Sequence, residues 1–195
     1  LFARINLKRA LLIVIIFFSA FLIPNNPQGS GSIKLLAIQG NTPEVGLEFN
    51  SRARAVFDLH VKATREFAKG KFDAVIWPEN AIDIDPKIDP VVATEIASLT
   101  NELDAPLLAG TVIQNRGKPQ NASILYSKEG LVQSSYVKRG LTPFGEYIPL
   151  RALSEFLSPF AERVVDFIPG DRRVVHDLSG KILGPIICYE IIHDD

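Results

Sequence analysis

The chain has 195 residues, of which 47% are hydrophobic and 22% are charged, so it is long enough for one domain with a sizeable core and an appendage. The 21 basic and 22 acidic residues nearly cancel, which argues against a nucleic-acid-binding protein. One cysteine excludes an internal disulfide framework, and three scattered histidines argue against a metal site, so we expect no metal and no cofactor. The chain begins with Leu1 and contains no methionine, so we expect it to be a piece of a longer protein.

The first feature along the chain is an unbroken apolar stretch at residues 10–23. As a helix it would be about 21 Å long, and Lys8 and Arg9 can extend it by snorkelling towards the roughly 30 Å of a bilayer core. Basic residues precede the stretch and no charge occurs in residues 24–32, so the positive-inside rule places the start in the cytoplasm. We therefore predict a membrane-spanning segment at residues 1–24, with a cleaved signal peptide or a buried core helix as alternatives.

The remaining sequence predicts a linker at residues 25–32, rich in Pro, Gly, Asn and Ser, followed by an α/β domain at residues 33–195. In chain order, the pattern first predicts a strand at 33–39, a helix that ends near Gly70, a strand at 74–77 that Pro78 terminates, and a helix at 90–103. It then predicts a strand at 106–114, a hairpin of 121–127 with 131–138, a helix packed on the domain within 150–168, and a buried strand at 181–188.

Three residues that can do chemistry follow predicted strands. They are Glu79, Lys138 and Cys188. Reactive groups of α/β domains gather beyond the carboxyl ends of strands, and this set suits acyl transfer. A carboxylate can deprotonate a thiol nucleophile, and a fixed cation can stabilise the tetrahedral oxyanion. Taken singly, each residue also has a simpler explanation, because a lone cysteine is often a small buried hydrophobic residue and a Glu or Lys is usually a solvated surface group.

Three longer motifs carry a resemblance to a known family. They are Trp77-Pro78-Glu79, Lys138 with Pro143-Phe144-Gly145-Glu146-Tyr147, and Cys188-Tyr189-Glu190. Together they resemble the nitrilase (carbon–nitrogen hydrolase) superfamily and, more narrowly, its membrane-bound branch, the apolipoprotein N-acyltransferases. The resemblance implies a nitrilase-like αββα sandwich, incomplete at its C-terminal end and preceded by a transmembrane helix. Thr142 departs from the pattern, because the family more often has an apolar residue there.

The resemblance also implies roles for the motif residues. Glu79 would be the general base, Lys138 the oxyanion-stabilising cation and Cys188 the nucleophile of a Glu-Lys-Cys triad. Glu146 would orient the lysine and the base, and Tyr189 would complete the oxyanion hole with its backbone N–H. Tyr189 and Glu190 would help to position the substrate.

The implied reaction uses lipid substrates. The donor would be a membrane phospholipid, whose acyl group would form a thioester on Cys188, and the acceptor would be the N-terminal amine of a diacylglyceryl-cysteine lipoprotein. The implied location is the bacterial inner membrane, with the catalytic domain on the periplasmic side. The alternatives are a membrane-tethered amidase that hydrolyses a C–N bond with the same three residues, and a non-catalytic truncated module.

The apolar segment at residues 150–168 admits a second interpretation besides a packed helix. It can act as a lid that dips into the lipid surface and admits acyl chains. In that case Phe156 and Phe160 would contact lipid.

Overall fold

The computed structural model describes residues 11–12, 14–15, 18–19, 32–42, 53–158, 161 and 164–192. The chain divides into two compact units, Leu1–Ser32 and Ile33–Asp195. The described residues between 11 and 19 are helical, and their side chains are exposed. Among the described ranges, no helix has both the length and the apolar character needed to cross a membrane. Most of the predicted membrane-spanning segment and nearly all of the predicted linker lie outside those ranges.

The second unit is built on a mixed five-stranded sheet. Its elements in chain order are β1 (Leu35–Ala37), α1 (Ala53–Phe67), β2 (Ala74–Ile82), α2 (Pro90–Leu103), β3 (Leu107–Asn115), β4 (Lys118–Tyr126), β5 (Val132–Val137), α3 (Arg151–Leu157), β6 (His176–Leu178) and β7 (Lys181–Leu183). The strand order is β1-β2-β3-β4-β5, with parallel pairs as far as β3 and antiparallel pairs from β3 to β5. The predicted α/β organisation is confirmed.

Local sequence signals explain why α2 has the predicted bounds. The Asp89 carboxylate accepts hydrogen bonds from the first two free backbone N–H groups of the helix, and Pro90 supplies a first residue that needs no such bond. The helix ends where Asp104 adopts a left-handed conformation with φ of 48°.

Two apolar clusters cover the two faces of the sheet. The larger one joins α1 and α2 to one face, where Phe57 packs edge-on against Trp77 with ring centroids 5.9 Å apart. The smaller one joins Leu108 and Leu125, which point to the opposite face, to Leu178 of β6. The β6–β7 hairpin therefore lies on the face of the sheet opposite the helices.

The prediction that Pro78 terminates its strand is wrong, because β2 continues to Ile82. The pairing of β2 with β3 shifts register between Trp77 and Ile82. Pro78, which has no backbone N–H, is accommodated in this irregular stretch. Gly110 of β3 makes room for the irregular stretch, since a Cβ at that position would lie 2.6 Å from the Cα of Glu79. The irregularity places Glu79 within the strand rather than beyond it.

The predicted buried strand at 181–188 is also wrong. Only Lys181–Leu183 form a strand, which pairs with β6 in a separate two-stranded sheet. Gly184 and Pro185 follow it and interrupt the extended run, and Ile186 beyond them is 67% exposed. The chain then enters a short 3-10 helix at Cys188–Ile192.

The helix predicted within residues 150–168 is much shorter than expected. It covers Arg151–Leu157, and none of its residues is buried, so it is not the packed helix of the prediction. The described residues 164–168 have no regular structure, and Phe160 lies outside the described residues.

Candidate active site

A buried lysine stands between two carboxylates at the end of β5. Lys138 immediately follows this strand, and its side chain is only 1% exposed. Its Nζ lies 2.8 Å from Oε2 of Glu146 and 3.7 Å from Oε1 of Glu79. A buried charge needs such partners, because an isolated ammonium in the interior would be strongly destabilising.

An amide side chain links the two carboxylates. Nδ2 of Asn121 donates hydrogen bonds to Oε1 of Glu79 at 2.6 Å and to Oε1 of Glu146 at 3.0 Å. Asn121 lies in β4 beside the lysine, whose backbone N–H donates to the Asn121 carbonyl at 2.8 Å. The sheet register therefore brings the amide to the carboxylates.

Glu146 is further held by the turn that precedes it. The backbone N–H of Thr142 donates to Oε2 of Glu146 at 2.8 Å, and the Thr142 hydroxyl accepts a hydrogen bond from Nζ of Lys138 at 3.1 Å. Burial alone would raise the pKa of Glu146, but the hydrogen bonds from Lys138, Asn121 and Thr142 outweigh burial and lower this pKa. The carboxyl of Glu146 is consequently ionised at neutral pH.

Glu79 is the more accessible of the two carboxylates. Its side chain is 31% exposed, against 10% for Glu146. A carboxylate that accepts one hydrogen bond from a fixed amide and still reaches solvent can exchange a proton with a substrate. Glu146 has the features of a fixed partner for the lysine instead.

Cys188 is exposed and has a strained backbone. Its φ is +48°, a left-handed conformation that residues other than glycine rarely adopt. The preceding Ile187 is buried, so the chain turns sharply and presents the thiol outward. The simpler explanation of Cys188 as a small buried hydrophobic residue is therefore wrong.

The thiol does not join the network around the lysine. Within the described part of the chain, no hydrogen bond or ion pair connects Cys188 to Glu79 or Lys138. The structure thus brings Glu79, Lys138 and Glu146 together, and it holds the cysteine on a separate segment.

The Glu190 carboxylate fastens that segment to the chain that follows the lysine. Its Oε1 accepts hydrogen bonds from the Tyr136 hydroxyl at 2.6 Å and from the backbone N–H groups of Arg139 at 2.7 Å and Gly140 at 3.1 Å. Its Oε2 accepts one from the backbone N–H of Ile187 at 2.9 Å. The residue just before the cysteine and the two residues just after the lysine therefore share one anchor.

These contacts shift the pKa values of Glu190 and Tyr136. Burial would raise the pKa of Glu190, but the hydrogen bonds from Tyr136 and from three backbone N–H groups outweigh burial and lower it. Burial and the bond to this carboxylate raise the pKa of Tyr136 to about 12. Glu190 is therefore an ionised anchor at neutral pH.

Sequence reasoning missed two residues of this site, Asn121 and Thr142. The predicted hairpin already placed Asn121 opposite the end of the strand that leads to Lys138, which was a usable signal. The hydroxyl of Thr142 gave no signal by itself, because its partner depends on how the turn before Glu146 folds back.

Tyr189 is half-buried beside the nucleophile candidate.

Several known proteins are similar to this chain in sequence. A family model described as carbon–nitrogen hydrolase matches residues 35–195. The apolipoprotein N-acyltransferase of Mycolicibacterium smegmatis is 35% identical over 176 residues, which cover 84% of this chain and 30% of that protein. The apolipoprotein N-acyltransferase of Brucella suis is 28% identical over 214 residues, which cover 100% of this chain and 40% of that protein. The chain thus spans well under half the length of these curated relatives.

Solved structures show the same fold at low identity. A CN-hydrolase superfamily protein from Xanthomonas campestris has a TM-score of 0.57 at 19% identity, with 83% of this chain and 55% of that chain covered. An amidase from a Nesterenkonia species has a TM-score of 0.55 at 15% identity, with coverage of 81% and 58%. The sheet, its helical face and its strand order are therefore a nitrilase-like α/β fold.

Proposed function

Because this chain belongs to the carbon–nitrogen hydrolase family, we propose that the protein transfers a fatty acyl group from a membrane phospholipid to the N-terminal amine of a diacylglyceryl-cysteine lipoprotein. The observation that carries this proposal is the buried Lys138 held against Glu79 and Glu146, which supplies a fixed positive charge next to an accessible carboxylate. The names of the relatives from Mycolicibacterium smegmatis and Brucella suis support acyl transfer over amide hydrolysis.

The first half-reaction would form a thioester on Cys188. Glu79 accepts the proton of the thiol, and the sulfur attacks the ester carbonyl of the phospholipid. The Lys138 ammonium and the backbone N–H of Tyr189 stabilise the oxyanion of the tetrahedral intermediate. When the intermediate collapses, the C–O bond of the ester breaks, and the leaving lysophospholipid alcohol takes the proton from Glu79.

The second half-reaction would move the acyl group to the amine. The α-amine of the lipoprotein attacks the thioester, Glu79 accepts a proton from the attacking nitrogen, and the C–S bond breaks. The proton then returns to the Cys188 sulfur, so the enzyme ends the cycle unchanged and an amide is formed. This order of events is a ping-pong reaction, and it requires that the lysophospholipid leaves before the acceptor reacts.

Three further side chains would support these steps without contacting the substrate. Glu146 holds the lysine ammonium in place. Asn121 fixes the Glu79 carboxylate through its 2.6 Å hydrogen bond, and Glu190 anchors the nucleophile segment. Such support matters because a small displacement of a reacting group lowers the rate strongly.

Location at the inner membrane, with the catalytic domain on the periplasmic side, is part of the same proposal. It is supported by the apolar sequence of residues 10–23 with its basic flank and by the lipid substrates that the reaction needs. A membrane-impermeant maleimide should label Cys188, the only cysteine of the chain, in intact spheroplasts that express it. Labelling only after lysis would contradict the periplasmic placement.

The reaction itself is tested by trapping the intermediate. The full-length protein is incubated with a phospholipid that carries a labelled acyl chain, and Cys188 is examined by mass spectrometry. We expect a hydroxylamine-sensitive acyl adduct on this residue that disappears in Cys188→Ala and is consumed when a diacylglyceryl-cysteine peptide is added. An adduct that forms equally without the cysteine would overturn the proposal, and release of free fatty acid without an amide product would favour the amidase alternative.

A further inference from the structure

A short segment at residues 166–170 connects the two halves of the buried charge pair through its backbone. It has no regular secondary structure. The backbone N–H of Phe167 donates to the carbonyl of Glu146 at 2.7 Å. The backbone N–H of Gly170 donates to the carbonyl of Lys138 at 2.8 Å. The segment therefore restrains the two stretches of backbone from which the carboxylate and the ammonium extend towards each other.

The same segment is also bonded to the strand that carries Asn121. The backbone N–H of Ile168 donates to the carbonyl of Pro119 at 2.9 Å, at the start of β4. Because Pro169 has no N–H, every backbone donor of residues 167–170 is used in a bond to a part of the chain that bears the charge network. A loop whose backbone groups are paired in this way is a structural part of the site.

The end of the segment that lies at Lys138 requires a glycine. A Cβ at position 170 would lie 2.3 Å from the carbonyl oxygen of Val137, which is far inside van der Waals contact. Two stretches of backbone can approach this closely only where the side chain is missing. This end of the segment is therefore packed directly against β5.

The other end is held by the side chain of Asp166. Its Oδ1 accepts a hydrogen bond from the backbone N–H of Ile148 at 3.2 Å, and it forms an ion pair with the guanidinium of Arg151. The hydrogen bond from Arg151 lowers the pKa of Asp166, so this carboxyl is ionised at neutral pH. Since Ile148 lies two residues after Glu146, Asp166 and Phe167 bind the loop of Glu146 at two neighbouring points.

We propose that Asp166 is a positioning residue of the acyl transfer, which holds the loop of Glu146 so that its carboxylate stays against Lys138. The Asp166 side chain is 40% exposed, and it acts through Ile148 and not by contact with the reacting atoms. The charge pair is sensitive to such support, because a displacement of about 1 Å breaks a hydrogen bond of 2.8 Å and misplaces the ammonium. The inference rests on the proposed function, in which this ammonium stabilises the oxyanion.

The kinetic test uses Asp166→Ala, which removes the acceptor for both Ile148 and Arg151. The full-length protein is given phosphatidylethanolamine with a labelled acyl chain, and kcat and KM for thioester formation on Cys188 are measured. We expect kcat to fall about tenfold, because the ammonium is misplaced. KM should stay nearly constant, because Asp166 does not contact the substrate.

The acid limb of the pH–rate profile gives a readout that a general loss of stability would not move. Burial raises the pKa of Glu146, and the hydrogen bond from Lys138 lowers it. When this bond is loosened, the pKa of Glu146 rises, so kcat of Asp166→Ala should decline at a higher pH than in the wild type. Asp166→Asn keeps an oxygen for both donors and should recover most of kcat.

Glu102→Ala is the matched control. It breaks an ion pair between Arg65 and Glu102 whose side chains are 41% and 46% exposed, similar to the 32% and 40% of Arg151 and Asp166. This control pair joins α1 to α2 and has no bond to the 166–170 segment. Because both pairs are partly exposed, each variant should lower Tm only slightly. Glu102→Ala should keep the kcat and the acid limb of the wild type.

Three results would overturn the proposal. They are a wild-type kcat in Asp166→Ala, an equal fall in Glu102→Ala, and an acid limb that stays in place. If Asp166→Ala does not fold, Arg151→Gln decides, since it releases the carboxylate from the guanidinium but leaves its bond to Ile148. A smaller fall in kcat with the same shift of the acid limb would support the role of Asp166, and unchanged kinetics would refute it.

Failure of the proposed function gives a different result, because Cys188 of the wild type would then accept no acyl group at all. In that case the pKa of Glu146 is measured by NMR titration of isotope-labelled glutamate carboxyls in the full-length protein. The Glu146 signal is assigned by its loss in Glu146→Gln. A rise of this pKa in Asp166→Ala but not in Glu102→Ala would still show that Asp166 positions the charge pair, and an unchanged value would refute it.

Discussion

Nζ of Lys138 lies 2.8 Å from Oε2 of Glu146, and the two side chains are almost completely shielded from solvent. Removal of one partner from such a pair leaves a buried charge without full compensation, which costs about 3–5 kcal/mol. We therefore expect Glu146→Gln to lower the free energy of unfolding by about 3 kcal/mol in urea denaturation. Lys128→Gln, which breaks an exposed pair with Asp104, should cost less than about 1 kcal/mol. Equal effects of the two variants would show that burial does not matter here.

Thr142 provides a clean test of how the lysine is positioned. Thr142→Val keeps the shape and the backbone N–H that binds Glu146, but it removes the hydroxyl that accepts from Lys138. Because a hydrogen bond to a charged group contributes about 1.5–3 kcal/mol, we expect kcat for thioester formation to fall about tenfold while KM stays nearly constant. Thr142→Ser, which restores a hydroxyl, should recover most of the rate. A valine variant as active as the wild type would remove Thr142 from the positioning residues.

Asn121 should influence the acid limb of the pH–rate profile. Its amide is one of the donors that lower the pKa of Glu146, so Asn121→Ala should raise this pKa. A carboxyl with a lowered pKa stabilises the fold above its unfolded pKa and loses that contribution as the pH falls through its folded value. We therefore expect both activity and stability of the variant to decline at a higher pH than in the wild type. Asn101→Ala, at an exposed position of α2, should leave the acid limb in place.

Buried His176 should make the protein sensitive to mild acid. Its ring lies between the hydroxyls of Ser134 at 2.7 Å and Ser123 at 3.3 Å, and burial lowers its pKa. As the pH falls below the unfolded value of about 6.5, the unfolded chain binds a proton that the folded protein does not, so stability decreases until the lower folded pKa is reached. We expect Tm to fall between pH 7 and pH 5, and to fall less in His176→Gln. His60, whose pKa is lowered by burial as well, should account for part of the remaining slope.

The variant Phe156→Ser tests the hypothesis that residues 150–168 form a lid that contacts lipid. It is 86% exposed in α3, a helix without buried residues, so Phe156→Ser should leave Tm unchanged. Turnover with phospholipid vesicles should fall several-fold, because an exposed aromatic residue contributes to binding at a lipid surface. Turnover of a short water-soluble ester should stay the same. Turnover with vesicles that equals that of the wild type would contradict the lid hypothesis.

The sequence predicted best those elements in which local signals agree. The helix at 90–103 has the predicted bounds, because the Asp89 cap, the Pro90 start and the apolar spacing all favour it. Pro78 does not end its strand as predicted, because β2 continues past it through an irregular pairing beside Gly110. The strand predicted at 181–188 ends at Leu183, because Gly184 and Pro185 interrupt the apolar run.

The site shows the same division between local and long-range information. The place of Lys138 directly after β5 agrees with its position at the end of a predicted strand, whereas Glu79 lies within β2 and not beyond its end. The amide bridge of Asn121 depends on the pairing of β4 with β5 and on the turn that carries Glu146, which is information that no short motif contains. The position of Cys188 could not be derived from strand periodicity, because a turn with a positive φ carries it.

Hydrogen bonds to Glu190 tie the backbone just before Cys188 to the backbone just after Lys138. Displacement of either stretch is therefore opposed by hydrogen bonds to the same carboxylate. Under the proposed reaction, this tie would keep the nucleophile segment in register with the chain around Lys138 while the substrate enters.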